Sequence, residues 1–250
     1  MAIQWVRSLL FIIQMYAMML IMGLACFIPS LLSRKAAIAS MRLYCAWVRW
    51  TASWMVGLTS EIRGAVPQDE VIVASKHQSF FDIILLMGAL PSGKFIMKRE
   101  LMFAPILGQY ALRIGCVPVN RGKRGKAIKK MAEDVKSGAQ KPGQLIIYPQ
   151  GTRIAPGVQA PFKVGTYVLY NQLGQTCVPA ATNVGVFWPR KGILRKPGHA
   201  VMEFLDPIEA GLDQASFMGR LEETVESHSN ALMREAGFDL DGLHNLNQRA

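Results

Sequence analysis

Two ionisable side chains five positions apart form the part of this sequence best suited to acid–base chemistry. His77 follows a short apolar run at positions 71–75, and Asp82 comes five residues later. A histidine exchanges protons near pH 7, and a neighbouring carboxylate fixes its tautomer and stabilises its charged form. Residues five apart on one helix point about 140° apart, so we expect His77 to precede a helix whose first turn holds Asp82. Such a pair is suited to deprotonating a hydroxyl group as that group attacks.

The segment between these two residues also allows a purely structural interpretation. Ser79 and Asp82 have the spacing of an acidic capping box, in which a carboxylate accepts hydrogen bonds from the backbone at a helix start. No serine or cysteine lies in a recognisable nucleophile turn. If the pair is catalytic, the attacking hydroxyl is therefore expected to belong to a substrate.

Two further segments carry groups that bind anions. Asn120 and Arg121 follow the run Cys116-Val117-Pro118-Val119, and an arginine after a strand is able to hold a phosphate through two parallel hydrogen bonds. Another β-rich run leads into Tyr148-Pro149-Gln150-Gly151-Thr152-Arg153, and ligands of open α/β sheets bind beyond the carboxyl ends of strands. Gly151 permits close approach of the backbone. Both segments are also compatible with ordinary turns.

The elements that must position these groups alternate along the chain after Glu61. Strands are predicted at 71–75, 94–97, 116–119, 144–148, 177–181 and 200–204, and helices at 82–88, 102–114, 125–138, 164–172 and 217–236. This alternation predicts an α/β domain with a central, largely parallel mixed sheet flanked by helices. Pro179 lies inside one strand, where a proline indicates an edge, a strand start or a bulge.

The first 58 residues differ from the rest and are predicted to form a separate membrane-docking motif, followed by a catalytic domain at 59–250. Within Ser8 to Ile28, 18 of 21 residues are apolar, which is enough for a helix to cross a bilayer core. Pro29 is expected to end this helix. A second helix at 36–58 mixes Arg42 and Arg49 with tryptophans, as is typical of the headgroup region. The pair either spans the membrane and returns or dips into one leaflet.

Charge and composition narrow the possible partners. The chain has 250 residues, is 51% hydrophobic and carries a net charge of +11, which together exclude a disordered chain and favour an anionic membrane surface. Residues 94–141 alone carry twelve basic and three acidic side chains. Nucleic acid is the less favoured partner, because this block lacks interleaved aromatic residues. Four scattered cysteines indicate a reducing compartment rather than a zinc or disulfide scaffold.

Taken in order, these segments resemble the motifs of the glycerolipid acyltransferase family. The family's H-x4-D motif appears as His77 to Asp82, and its second block as Val117 to Arg121. Its third block, usually F-P-E-G-T-R, appears as Tyr148 to Arg153, and its fourth as Val178-Pro179-Ala180. The family's lysine ahead of a Glu-Leu pair corresponds to Lys98. The likeness covers roughly residues 60–210 and is closest to the 1-acylglycerol-3-phosphate acyltransferases.

The resemblance implies a reaction and a role for each residue. His77, held by Asp82, is the general base for an acceptor hydroxyl that attacks an acyl thioester, which forms phosphatidic acid from lysophosphatidic acid. The resemblance assigns substrate binding to Lys98, Asn120, Arg121, Gln150, Gly151, Thr152, Arg153 and Pro179. By position, the backbone around Gly151 is expected to donate hydrogen bonds to the oxyanion. No metal or cofactor is implied, and the co-substrate is acyl-CoA or acyl carrier protein.

The expected surroundings follow from the same likeness and from the charge pattern. Arg34, Lys35, Arg42 and Arg49 follow the first apolar segment, whereas only Arg7 precedes it. This asymmetry places the following domain on the cytoplasmic face, in a bacterium that of the inner membrane. The partners are then membrane lipid and an acyl donor, and an acidic carrier protein would be attracted by the basic block.

One residue departs from the family pattern and keeps two alternatives open. Gln150 replaces the usual glutamate with a neutral amide of similar shape, which both accepts and donates hydrogen bonds. If the amide only orients the loop or binds the acceptor, activity is retained. If charge is required there, the acceptor is another lysolipid, such as a lyso-ornithine lipid. A membrane-anchored lipid-binding protein without catalysis is the third alternative.

Overall fold

Seven strands form one sheet in the computed structural model, which describes residues 2–119 and 142–240. The strands are β1 (Leu58–Arg63), β2 (Ile72–Ser75), β3 (Lys94–Lys98), β4 (Val117–Val119), β5 (Leu145–Ile147), β6 (Cys177–Thr182) and β7 (Gly198–Phe204). Their order across the sheet is β1-β7-β6-β2-β5-β3-β4. Every neighbouring pair is parallel except β6 with β7. The predicted largely parallel mixed sheet is confirmed.

Helices cover the sheet and precede it. They are α1 (Ala2–Ala25), α2 (Phe27–Leu32), α3 (Arg34–Met55), α4 (Phe81–Ala89), α5 (Leu107–Ile114), α6 (Gly165–Leu173), α7 (Val184–Phe187) and α8 (Gln214–Glu235). The predicted helix at 125–138 lies outside the described residues. The strands β2 and β6 are buried at every position, because helices cover both faces of a parallel sheet.

The N-terminal helices share the main hydrophobic core with the sheet. Phe11 and Met15 of α1 are buried in the same cluster as Phe81 and Leu85 of α4. The ring of Trp188 connects them, because its centroid lies 5.5 Å from Phe11 and 5.1 Å from Phe81. The outer face of α1 remains exposed and apolar, and α1 is the one described helix long and apolar enough to cross a membrane.

Three local predictions were wrong in instructive ways. The helix predicted at 102–114 is a 3₁₀ helix at Arg99–Phe103 followed by α5, because Pro105 and Ile106, which has a positive φ of 63°, separate them. Pro29 does not end the helical run; it lies in the first turn of α2, where its missing N–H is tolerated. The second N-terminal helix ends at Met55, and β1 begins at Leu58.

Pro179 lies within β6, which is an interior strand rather than an edge. Antiparallel pairs join Cys177 to Ile208 and Ala180 to Phe204, so three steps along β6 face four on the partner segment. This mismatch is a bulge, one of the three settings expected for a strand proline. Pro179 is buried beside Ala74 of β2. Its place in the structure is therefore inside the sheet.

Candidate active site

His77 and Asp82 meet at the carboxyl end of β2. His77 lies in the connection after the strand, and Asp82 lies in the first turn of α4. The histidine Nδ1 is 3.0 Å from Asp82 Oδ1 and 3.1 Å from Oδ2. Since the carboxylate only accepts, Nδ1 carries the proton, and Nε2 is left as the basic nitrogen. The carboxylate is fully buried, whereas 12% of the His77 side chain is exposed.

The Asp82 carboxylate also organises the backbone at the start of α4. Its Oδ2 accepts hydrogen bonds from the backbone N–H of Gln78 at 2.9 Å and of Ser79 at 2.8 Å. The Ser79 hydroxyl accepts from the Phe81 N–H. The capping interpretation and the proton-transfer interpretation therefore describe the same carboxylate. Because two backbone N–H groups also fix this carboxylate, Asp82 holds the imidazole in one orientation.

Tyr148 completes the immediate surroundings of the pair. Its ring stacks on the His77 imidazole with centroids 3.8 Å apart and 14° between planes, and its hydroxyl donates to Asp82 Oδ1 at 3.1 Å. Burial and the adjacent Asp82 charge raise the pKa of Tyr148 well above its usual value, while the Arg153 charge opposes this. The hydroxyl therefore stays protonated and remains a donor.

The connection after β5 is tied to His77 through the backbone. The Ile154 N–H donates to the His77 carbonyl oxygen at 2.7 Å, which brings the predicted third segment against the first. Gly151 has φ +69°, a conformation that other residues rarely adopt, so a side chain there is strained. The Gly151 N–H donates to the Tyr148 carbonyl and is engaged in a turn. An oxyanion donor from the backbone around Gly151 stays a prediction.

The Gln150 side chain is turned into the protein. Only 3% of this residue is exposed, and its amide nitrogen donates to the Ala160 carbonyl at 3.1 Å and to Glu226 Oε1 at 3.2 Å. The same Glu226 carboxylate binds the Lys76 ammonium at 2.5 and 2.7 Å. Lys76 directly precedes His77, so this network links α8 to both site connections. The Gln150 side chain therefore stabilises the connection after β5 from inside the protein.

The remaining predicted binding residues lie at neighbouring strand ends. Lys98 is the last residue of β3 and pairs with Val119, the last residue of β4. Asn120 and Arg121 follow directly in sequence and lie outside the described residues. Thr152 and Arg153 are half-buried in the connection after β5, and the Arg153 carbonyl accepts from Arg190. Parallel strands β2, β5, β3 and β4 direct their carboxyl ends to one edge of the sheet.

Sequence reasoning missed two contributors to this site. The signal for Tyr148 was present, since a tyrosine stands where the resembled motif usually has phenylalanine, and a hydroxyl is the whole difference. Glu226 gave no signal, because it lies 76 residues after Gln150 on a helix with many acidic side chains. Its contact with Lys76 depends on how α8 packs against β6.

Comparison with known proteins identifies the group to which this arrangement belongs. A family model described as Acyltransferase matches residues 58–183, half of the chain. The chain belongs to the Acyltransferase family. The match begins at β1 and ends just after β6, so it includes both His77–Asp82 and the connection that carries Tyr148 and Gln150.

Relatives of this acyltransferase come from bacteria, plants and animals. A 1-acyl-sn-glycerol-3-phosphate acyltransferase of Pseudomonas aeruginosa is 28% identical over 237 residues, covering 93% of this chain and 92% of the relative. Enzymes with the same printed name are 32% identical in Limnanthes alba (62% of this chain, 56% of the relative) and, as the alpha form, 32% identical in Bos taurus (74% and 67%).

A solved structure supports the fold of this acyltransferase. The crystal structure of the 1-acyl-sn-glycerophosphate (LPA) acyltransferase PlsC from Thermotoga maritima superposes with a TM-score of 0.75. It is 20% identical in sequence, and the match covers 91% of this chain and 97% of that one. Since the matched region extends well beyond residues 58–183, the likeness includes most of the N-terminal helices as well as the sheet.

Proposed function

We propose that this acyltransferase transfers a fatty acyl group from an acyl thioester to the sn-2 hydroxyl of 1-acylglycerol 3-phosphate, which yields phosphatidic acid. The observation that carries the proposal is the buried Asp82 carboxylate on Nδ1 of a partly exposed His77. The names of the relatives, one of which matches over nearly the whole chain, support this acceptor.

In the proposed reaction, His77 Nε2 removes the proton from the acceptor hydroxyl as its oxygen attacks the thioester carbonyl. The tetrahedral intermediate collapses, the carbon–sulfur bond breaks, and the imidazolium returns its proton to the departing thiolate. Asp82 stabilises the imidazolium in between. The step needs no metal and no cofactor beyond the acyl thioester, for which acyl-CoA and acyl carrier protein are the proposed donors.

The acceptor phosphate is proposed to bind the cationic side chains at this edge of the sheet. Lys98 is the last residue of β3, and Arg121 and Arg153 follow β4 and β5 in sequence. A guanidinium binds a phosphate through two parallel hydrogen bonds. Asn120 and Thr152 are proposed to add neutral contacts. Gln150 and Gly151 act by shaping the connection that carries Thr152 and Arg153.

The protein is proposed to lie in one membrane leaflet rather than to span the bilayer. Both ends of α1 are bound to the rest of the chain: Gln4 donates to the Val56 and Arg195 carbonyls, and Tyr110 donates to the Gly23 carbonyl. A 24-residue helix is about 36 Å long, so it cannot cross a ~30 Å core while both ends contact one polar domain.

The exposed side chains of the N-terminal helices are the proposed membrane contact. These are Ile3, Trp5, Val6, Leu10, Ile13, Tyr16, Leu20, Ile21 and Leu24 of α1 and Leu43, Trp50 and Trp54 of α3. The partner is then the membrane lipid that also supplies the acceptor. The cytoplasmic face of a bacterial inner membrane is the proposed location, because most basic side chains near these helices follow the first one.

A matrix of acyl donors and acceptors tests the reaction. Purified protein is offered acyl-CoA or acyl carrier protein thioesters with lysophosphatidic acid, lyso-ornithine lipid or other lysolipids, and His77→Ala is the blank. We expect phosphatidic acid from lysophosphatidic acid and none from the blank. Preference for a phosphate-free acceptor would reassign the substrate, and no turnover with any pair would leave a lipid-binding protein. Product that survives His77→Ala would refute the general base.

The membrane contact is tested by sedimentation with anionic phospholipid vesicles. Replacing Trp50 and Trp54 with alanine removes two large side chains from the interface, so we expect vesicle affinity to fall about tenfold or more. Val164→Ala, which truncates a half-exposed apolar residue beside α6, is the matched control. Tags at the two chain ends and at Ser33, between α2 and α3, should all react with an impermeant reagent from the same side; labelling of any one tag from the opposite side would show a spanning helix.

A further inference from the structure

The hydrogen bonds to Asp82 account for the whole carboxylate. Oδ1 faces the His77 ring nitrogen and the Tyr148 hydroxyl, and Oδ2 accepts from two backbone N–H groups. A carboxylate offers about four lone-pair sites, so four donors saturate it. One of the four donors comes from β5's connection, 66 residues away in sequence.

The Tyr148 ring makes a second contact that is independent of its hydroxyl. It lies nearly parallel to the His77 imidazole at 3.8 Å, and its other neighbour is Phe95 at 6.0 Å. Stacking on Tyr148 restricts rotation of the imidazole, and the hydrogen bond from His77 Nδ1 to Asp82 holds the edge of the imidazole. The two contacts together hold Nε2 at one position.

We propose that Tyr148 is a positioning residue of the acyl-transfer reaction, which shares the Asp82 carboxylate with His77 and thereby sets how strongly the imidazole holds its proton. The inference rests on the proposed function. A phenylalanine at this position would keep the ring contact and lose the shared carboxylate. The hydroxyl is therefore a tuning element of this chain, separate from the support that the ring gives.

The direction of the effect follows from the chemistry of the carboxylate. Removal of one donor leaves a buried, anionic oxygen with less compensation, which makes the carboxylate a stronger acceptor toward the remaining Nδ1–H. In the variant, the neutral imidazole that removes the acceptor proton therefore forms at higher pH than in the wild type. The acidic limb of the pH–rate profile moves upward.

Other charged groups near the pair are the same in the wild type and in the variant. Arg153 acts on the Tyr148 hydroxyl from the connection after β5, and Lys163 Nζ lies close to Gly151 in the same region. Lys76, the neighbour of His77, is bound to Glu226 of α8. A substitution that removes only the Tyr148 hydroxyl leaves all of these charges in place, so the comparison isolates one hydrogen bond.

The test is the pH dependence of kcat/KM for Tyr148→Phe against wild type. We expect the acidic limb to move upward by about 0.5 to 1 pH unit. Tyr170→Phe is the matched control, because it removes a buried hydroxyl that donates to the Glu209 carbonyl in another part of the core. A profile for Tyr148→Phe that superimposes on wild type, or moves downward, overturns the proposal.

A second measurement keeps the proposal falsifiable if Tyr148→Phe folds poorly. A ring-fluorinated tyrosine at position 148 is a stronger donor with the same shape, so it should move the acidic limb downward, opposite to phenylalanine. An unchanged limb overturns the proposal. Failure of the proposed function is distinct from both results, because it appears as absence of turnover in the wild type with every donor and acceptor.

Discussion

Replacing Gln150 with glutamate restores the residue usual for the resembled motif, and the structure makes its consequence specific. The Gln150 amide now donates to Glu226 Oε1 at 3.2 Å, and Glu226 already neutralises the buried Lys76. A carboxylate at position 150 would put two acceptors and a second negative charge against one ammonium. We expect Gln150→Glu to destabilise the fold in a pH-dependent way while the folded protein keeps its activity within about tenfold.

The expected loss of unfolding free energy is estimated for two cases: both carboxyls stay ionised, or one of them takes up a proton. Two carboxylates about 4 Å apart repel by about 4 kcal/mol at an effective dielectric constant near 20. Attraction between the new carboxylate and the Lys76 ammonium reduces this energy. Alternatively one carboxyl takes up a proton, which from a reference pKa of about 4.3 costs about 4 kcal/mol at pH 7 and about 1 kcal/mol at pH 5. The new carboxyl therefore has a raised pKa when folded. The variant is therefore close to wild type in unfolding free energy at low pH, and it loses stability relative to wild type as the pH rises.

Urea denaturation in detergent at pH 5 and pH 7 measures this effect. We expect the variant to lose about 2 to 4 kcal/mol of unfolding free energy at pH 7 and about 1 kcal/mol at pH 5. The matched control is the double variant Gln150→Glu with Glu226→Gln, which moves the single carboxylate from α8 to the loop and keeps Lys76 compensated. It should recover most of the loss.

Two results would refute this reasoning. If the double variant is no more stable than Gln150→Glu alone, repulsion between the carboxylates at positions 150 and 226 is not the cause of the loss. If Gln150→Glu loses far more than tenfold activity at pH 5, where it is expected to be folded and protonated, the position acts on substrate directly. In that case Gln150 belongs to the binding surface rather than to the support of the loop.

Three further outcomes are expected. Asp82→Asn should lower kcat by about 10³ to 10⁴, because an amide stabilises the wrong histidine tautomer; a loss below tenfold in single-turnover assays would contradict the assigned proton on Nδ1. Gly151→Ala should reduce kcat/KM at least about tenfold through strain at φ +69°, and an unaffected variant would show that the loop tolerates another path. Thiol titration at pH 8 should detect mainly Cys26 in the native protein, because burial raises the pKa of Cys116 to about 11 and of Cys177 to about 12; four equally fast thiols would argue against this packing.

The short-range parts of the site could be predicted from the sequence. Residues five apart across a strand-to-helix connection have few ways to meet, and the structure brings His77 and Asp82 together as their spacing predicts. The parallel sheet followed from alternation of β-rich and helical segments. The catalytic and binding roles themselves stay predictions, to be decided by the variants described above.

The long-range parts could not be predicted, for identifiable physical reasons. The Lys76–Glu226 contact joins residues 150 positions apart. Helix α8 carries several other acidic residues, and nothing in the sequence indicates which of them contacts Lys76. Strand β1 escaped prediction because its six residues, Leu58–Arg63, are mostly polar and half-exposed at the sheet edge, so they lack a continuous apolar run. Its parallel pairing with β7 is decided by tertiary contacts.

The aromatic contacts around Trp188 connect the helix proposed to contact the membrane with the helix that carries Asp82. Phe11 of α1 packs against Trp188, Trp188 stacks on Phe81, and Phe81 is covalently joined to Asp82. Trimming away α1 to obtain a soluble enzyme would therefore uncover the ring that supports the start of α4. If α1 lies in the membrane as proposed, its depth of insertion and the alignment of His77 with Asp82 are coupled through this packing, and the lipid surface supports the site as well as supplying the proposed acceptor.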